Sequence, residues 1–184
     1  HEWMGGASMS QNGVICNPNI PSEEVFTTPH ALRVEGHVSS TKPLSHQGTL
    51  IDNIRVIFEK GTITEAKATK GETVLNKVLD SDEGARRLGE VALVPNSSPI
   101  SKSGLLFYNT LFDENAACHI ALGQCYSKCF KGEKNLSASE ISSKGGNSSM
   151  IHIDWMIGSG EIDIDGFGKN GDKVPIFRKG EWVD

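Results

Sequence analysis

The chain has no long apolar run, no basic cluster and too few cysteines to cross-link it, and each absence removes a class of function. No stretch approaches the roughly 20 apolar residues that cross a bilayer, so no membrane partner is expected. The first twenty residues lack a basic start followed by an apolar segment, so no secretory leader is read there. Lys+Arg number 18 against 23 Asp+Glu, for a net charge of −5. With no basic patch to neutralise phosphates, nucleic acid is not an expected partner. Four cysteines, Cys16, Cys118, Cys125 and Cys129, are too few to staple a secreted scaffold and are expected to be reduced thiols in a cytoplasmic protein. The spacings of seven and four between Cys118, Cys125 and Cys129 do not make the close ligand pairs of a structural zinc site. Cys118 and His119 are adjacent and would point apart on a helix, which argues against a Cys-His nucleophile. Gly84, Gly89, Gly145 and Gly146 form no phosphate-binding loop.

At 184 residues a single domain with a substantial core is the default. Opening on His1 rather than Met, the sequence is read as a piece of something longer. Gly13–Asn19 is a short apolar segment running into turn chemistry. Val25–Thr28 is β-branched and aromatic, a strand stopped by Pro29, and Ala31–Val38 alternates as a half-buried strand does. Thr41–Gly48 reads as a loop. Ile51–Phe58 and Ile63–Ala68 alternate about a Glu59-Lys60-Gly61-Thr62 turn and predict a hairpin. Gly71–Leu79 switches to helical spacing, with Val74, Leu75, Val78 and Leu79 on one face. Strands are expected at Val91–Val94, Leu105–Tyr108, Met150–Ile157, Glu161–Asp165, Lys173–Phe177 and Glu181–Val183. The small, apolar Ala116–Gln124 reads as a buried helix, and the Ser/Gly/Lys-rich Lys131–Ser149 as a surface excursion. Strand runs with few helices and no βαβ rhythm predict an α+β fold, mostly antiparallel and β-rich.

Onto this frame fall carboxylates and imidazoles in distinctive surroundings: Glu24, Glu90, His119, His152 and Asp154. Such a donor set, without a thiolate cluster, suits Zn²⁺, Co²⁺, Mn²⁺ or Mg²⁺. Its size exceeds what one tetrahedral ion takes, which implies two ions and a hydrolase that activates water between them. His152 and Asp154, two apart on a strand, share a face, although a lone His-x-Asp is more often a surface pair. Glu23 and Glu24 point oppositely, so only one of them can enter a site. Glu90 abuts an apolar strand, where a carboxylate must be paired or liganded, with Arg86 and Arg87 as candidate partners. His119 sits in the helix-like run, where a satisfied core histidine is the commoner occupant. Tyr126, seven residues on, would share its face if that helix continued. Asp113 is equally a candidate helix cap, with Glu114 favouring the dipole. His30, His37 and His46 carry no ligand spacing.

The segments PSEEVFTTP, DEGARRLGEVALV, FYNTLFDENAACHIALG and IHIDWMIGS resemble those of the thermophilic metalloprotease family of dinuclear-metal aminopeptidases, from about Gly5 to the chain end. The resemblance implies a metal-dependent exopeptidase acting on peptides with a free N-terminus through two divalent ions. It places metal ligands on Glu24, Glu90, His119, His152 and Asp154, with Glu114 as a further ligand or a base. It gives Tyr126 a role in catalysis, and on that mechanism Glu90 or Glu114 would shuttle the proton to the leaving amine. It also implies that residues 1–184 are the carboxyl-terminal, metal-bearing half of an enzyme twice as long that forms homodimers. A silent metal-binding module and a dinuclear hydrolase of another class, such as a phosphoesterase, stand as alternatives.

Overall fold

The computed structural model describes residues 1–132 and 136–184. The elements run β1 (Ser8–Met9), β2 (Ile15–Cys16), β3 (Val25–Thr27), β4 (Gly36–Ser39), β5 (Leu44–His46) and β6 (Thr49–Ile51). Then come β7 (Arg55–Glu59), β8 (Thr62–Lys67), α1 (Glu72–Leu79), β9 (Leu88–Leu93), α2 (Pro99–Ser103) and α3 (Thr110–Asp113). The chain finishes with β10 (His119–Gly123), α4 (Ala138–Ser143), β11 (His152–Met156), β12 (Ile164–Phe167), β13 (Lys173–Arg178) and β14 (Glu181–Trp182). Among the described residues every strand pairing is antiparallel, and the fold is α+β as expected. The sheet that carries the site has the order β11-β10-β9-β3, flanked by β4-β7-β8 and β12-β13-β14. No helix among the described residues is long and apolar enough to cross a membrane.

The predicted hairpin is β7–β8. Lys60 and Gly61 both take positive φ, 50° and 80°, as a two-residue type I′ turn requires. A Cβ on Gly61 would lie 1.9 Å from the Ala31 carbonyl, so no other residue fits there. In α1, Leu75 and Leu79 turn inward, Glu72 sits in the first turn and Lys77 in the last, as the dipole favours. They join Ile54, Val56, Phe58 and Ile63 to build the principal core against Ile120, Leu122 and Trp155, on one face of the site-bearing sheet.

Several expectations are corrected. Thr41–Gly48 is not a plain loop: β5 and β6 form a hairpin whose Gln47-Gly48 turn has both φ positive, 47° and 76°. The strand read over Ala31–Val38 survives only as Gly36–Ser39, because Ala31–Arg33 turns, with Arg33 N–H donating to the His30 carbonyl. Leu105–Tyr108 is not a strand. Its backbone is claimed by a side chain, since the Asp113 carboxylate accepts from Phe107 N–H at 2.7 Å and Asn109 N–H at 3.1 Å. The last of these alternating stretches, Glu161–Asp165, becomes strand only from Ile164. Within Lys131–Ser149, residues 133–135 lie outside the described residues. The remainder includes α4, opened by a Ser137–Glu140 capping box, and a buried Gly145–Asn147. The largest correction is Ala116–Gln124, which holds no α-helix but β10, the inner strand between β9 and β11.

Candidate metal centre

Register explains why the site assembles on β10. Ala121 stands opposite Glu90 on β9 and opposite Asp154 on β11, while Gly123 faces His152. Side chains opposed across antiparallel strands share a face, so Glu90, His119, His152 and Asp154 emerge together. Phe26, opposite Ala92, is on that face too, and alternation brings Glu24 alongside it. Ile120, Leu122 and Trp155 take the other face and fill the core. The small residues of β10 therefore leave space between ligands.

Two groups of donors lie with their ligand atoms within 4.8 Å of one another: Glu24, Glu90 and His119, and Glu90, His152 and Asp154. Glu90 belongs to both. Of Glu23 and Glu24, it is Glu24 that enters, its Oε2 lying 3.0 Å from His119 Nε2. Each histidine is oriented from behind: His119 Nδ1 lies 3.1 Å from the Ala117 carbonyl and His152 Nδ1 2.7 Å from the Gln124 carbonyl. Donating Nδ1–H to a carbonyl leaves Nε2 aimed into the site, the usual support of a metal-binding imidazole. His152 Nε2 is 3.3 Å from Glu90 and 3.4 Å from Asp154, yet it is buried without a well-formed hydrogen bond. An orphaned buried nitrogen between two carboxylates fits a divalent ion well, as does a donor set of imidazole and carboxylate.

Without an ion, the charges compensate one another. Burial pulls His119 down, but Glu24 and the other carboxylates outweigh it and push it up to about 9. Burial likewise opposes Asp154 and Glu90 at His152, which reaches about 11. Burial raises Glu90 against the pull of His152. Glu114 is raised to about 8, by burial first and then by Asp154. It belongs to neither ligand group but lines the cavity of about 440 Å³ in front of them, with Glu24, Tyr126, His152 and Asp154.

Tyr126 also sits elsewhere than the helical spacing implied. With β10 a strand, it follows the strand end, and its ring packs on His152 at 4.9 Å and Phe26 at 5.4 Å. Burial, then the site carboxylates, raise its phenol, so it remains protonated. Arg86 and Arg87 do not orient Glu90: Arg86 pairs with Asp80 at 2.7 Å, and Arg87 donates to the Ala31 and Lys60 carbonyls. Asp113 caps no helix with its side chain, being occupied with the 107–109 backbone. The three buried thiols, Cys118, Cys125 and Cys129, belong to neither donor group and form no disulfide.

Three residues at the site carried no signal in the sequence. Asn115, 1% exposed, accepts from Glu23 N–H at 2.7 Å and donates to the Leu111 carbonyl at 3.0 Å. It thereby ties the segment bearing Glu24 to the one bearing Glu114. His46, on the unforeseen hairpin, and Lys128 both line the cavity.

One-sided presentation of imidazoles and carboxylates over a packed sheet suits a divalent-metal site of the metallohydrolase kind. The chain belongs to the thermophilic metalloprotease (M29) family, whose profile matches residues 1–182. It is 55% identical over 183 residues to aminopeptidase T of Thermus aquaticus, covering 100% of this chain and 44% of that protein. It is 50% identical to aminopeptidase AmpS of Bacillus subtilis, covering 45% of it. The solved structure of wild-type AmpT from Thermus thermophilus superposes with a TM-score of 0.93 at 53% identity, over 99% of this chain and 45% of that one. The chain thus spans somewhat under half the length of the relatives it matches.

Proposed function

We propose that residues 1–184 form the metal-bearing, carboxyl-terminal half of a cytoplasmic, homodimeric aminopeptidase. It would remove the N-terminal residue of peptides with the help of two divalent ions, Zn²⁺, Co²⁺ or Mg²⁺. The observation that carries this reading is the sharing of Glu90 between two otherwise separate donor groups. The names of the relatives point the same way. Glu24, Glu90 and His119 would hold one ion, and Glu90, His152 and Asp154 the other. When bound, such a pair polarises a carbonyl and brings the pKa of a water towards ~7.

The chain's own groups then divide the remaining work. Glu114, in the cavity but outside both donor groups, would be ionised once the charge of bound ions offsets its burial, and would then take a proton from the attacking water and return it to the leaving amine. Glu90 is the other carboxylate in reach, but holding both ions would engage its oxygens. The protonated Tyr126 phenol would donate to the oxyanion of the tetrahedral intermediate. Surplus carboxylate on the cavity wall suits an α-ammonium group, which would restrict cleavage to the chain end. A phosphoesterase is disfavoured, because Arg86 and Arg87 are engaged away from the ligands.

The test is a side-by-side assay of the full-length protein with Co²⁺, Zn²⁺ and Mg²⁺ on Leu-peptides and their N-acetyl counterparts. Metal-dependent release of leucine from the free peptides alone is expected, and His152→Ala or Asp154→Asn should lose tightly bound metal. Cleavage of N-acetyl peptides would overturn the exopeptidase reading. Bound metal without any cleavage would leave a silent module instead.

A further inference from the structure

Among the described residues, Lys128 supplies the lone ammonium or guanidinium on the cavity wall, which also carries the acids Glu24, Glu114 and Asp154 and the imidazoles of His46 and His152. Its Nζ stands 4.7 Å from the centre of the Phe26 ring and 5.4 Å from that of Tyr126. Two ring faces hold a cation by their quadrupoles and confine an otherwise mobile side chain. Among the described residues Lys128 forms no ion pair, so its charge stays available.

We propose that Lys128 is the subsite for the terminal α-carboxylate of short peptide substrates, an inference that rests on the aminopeptidase reading. Reach supports it. The separations of 5.4 Å from Nζ to Tyr126 and 4.9 Å from Tyr126 to the His152 ring keep the ammonium within about 10 Å of that imidazole. An extended peptide advances about 3.3–3.6 Å per residue. With its first carbonyl beside His152, a di- or tripeptide ends inside that limit, where the ammonium can meet it, and a pentapeptide carries its carboxylate beyond it. Charge supports it as well: next to Glu24, Glu114 and Asp154 a substrate carboxylate is repelled, and at Lys128 it is attracted.

The experiment compares kcat/KM for Leu-Gly, Leu-Gly-Gly and a Leu-pentapeptide, each as free acid and as C-terminal amide, in the full-length metal-loaded protein. The free acid of the di- or tripeptide should be preferred about tenfold, the low end for a hydrogen bond to a charged group. The pentapeptide should show no preference. Lys128→Met should bring the acid-to-amide ratio close to one, Lys128→Arg should retain it, and added salt should weaken it. Equal ratios in wild type, or a ratio indifferent to Lys128→Met, would overturn the subsite while leaving the aminopeptidase reading intact. Absence of cleavage of every peptide would instead remove that reading, and the subsite with it.

Discussion

Each histidine of the centre commits one nitrogen to a backbone carbonyl and presents the other to carboxylates, so the imidazoles are aimed before any ion arrives. The residues around them do different jobs, and substitution separates these jobs. Tyr126 touches His152 only through its ring, so Tyr126→Phe should leave metal content nearly unchanged. Turnover by the full-length protein should fall by ~10² or more, the scale of a lost oxyanion donor. Elemental analysis beside kinetics checks this, and an emptied site would make the tyrosine structural. Asn115 is a positioning residue. Asn115→Ala strands the Glu23 N–H and the Leu111 carbonyl, and should cost about 2 kcal/mol or more in a denaturant titration. Because Glu24 and Glu114 are tied through it, metal affinity should fall as well. Unchanged affinity in a folded variant would deny it that role.

Among the elements, β10 shows what local reading of a sequence can and cannot deliver. Ala116, Ala117 and Ala121 are good helix formers, and a short apolar run is ambiguous by periodicity alone. Strand pairing on both edges decides the outcome, and it comes from residues about 30 positions away in either direction. The alanine opposite Glu90 and Asp154 is there for room. Ala121→Val should therefore strain the fold by about 1–3 kcal/mol and lower bound metal, read by thermal unfolding and elemental analysis. By contrast, β7–β8 and α1 were legible because alternation, helical spacing and turn residues agreed locally. So was the His152/Asp154 pair, which needs only strand period. The β5–β6 hairpin was hidden by polar residues at its turn, and Asn115 and Lys128 by contacts distant in sequence. Near the start of the chain Trp3 and Met9 are exposed, whereas Met4 packs beside Phe26. The approach to β11 depends on Asp82, which accepts from Met150 N–H at 2.6 Å, Ser149 Oγ at 2.9 Å and Ala85 N–H at 3.0 Å. The Met150 bond leads in holding its carboxyl below the usual range. Such a group stabilises the fold above its ordinary pKa, and the effect is lost as pH falls through the lowered value. Asp82→Ala should cost about 1 kcal/mol at neutral pH and progressively less below about pH 4. Thermal unfolding across that range checks it, and a penalty that grows in acid would contradict it.

On the scale of the whole molecule, one sheet separates two chemistries. Its inner face is sealed by Ile120, Leu122 and Trp155 against β7, β8 and α1, and its outer face gathers the charged donors in front of an open cavity. A rigid apolar backing holds ligands from four strands or strand ends in register, as a metal centre demands. Glu90 is proposed to join two ions. Anomalous diffraction from crystals of the full-length protein loaded with Zn²⁺ tests it most directly. Two peaks about 3.5–4 Å apart are predicted, one beside Glu24 and His119, the other beside His152 and Asp154, with Glu90 between them. A single peak, or a pair of which Glu90 contacts only one member, would contradict the account.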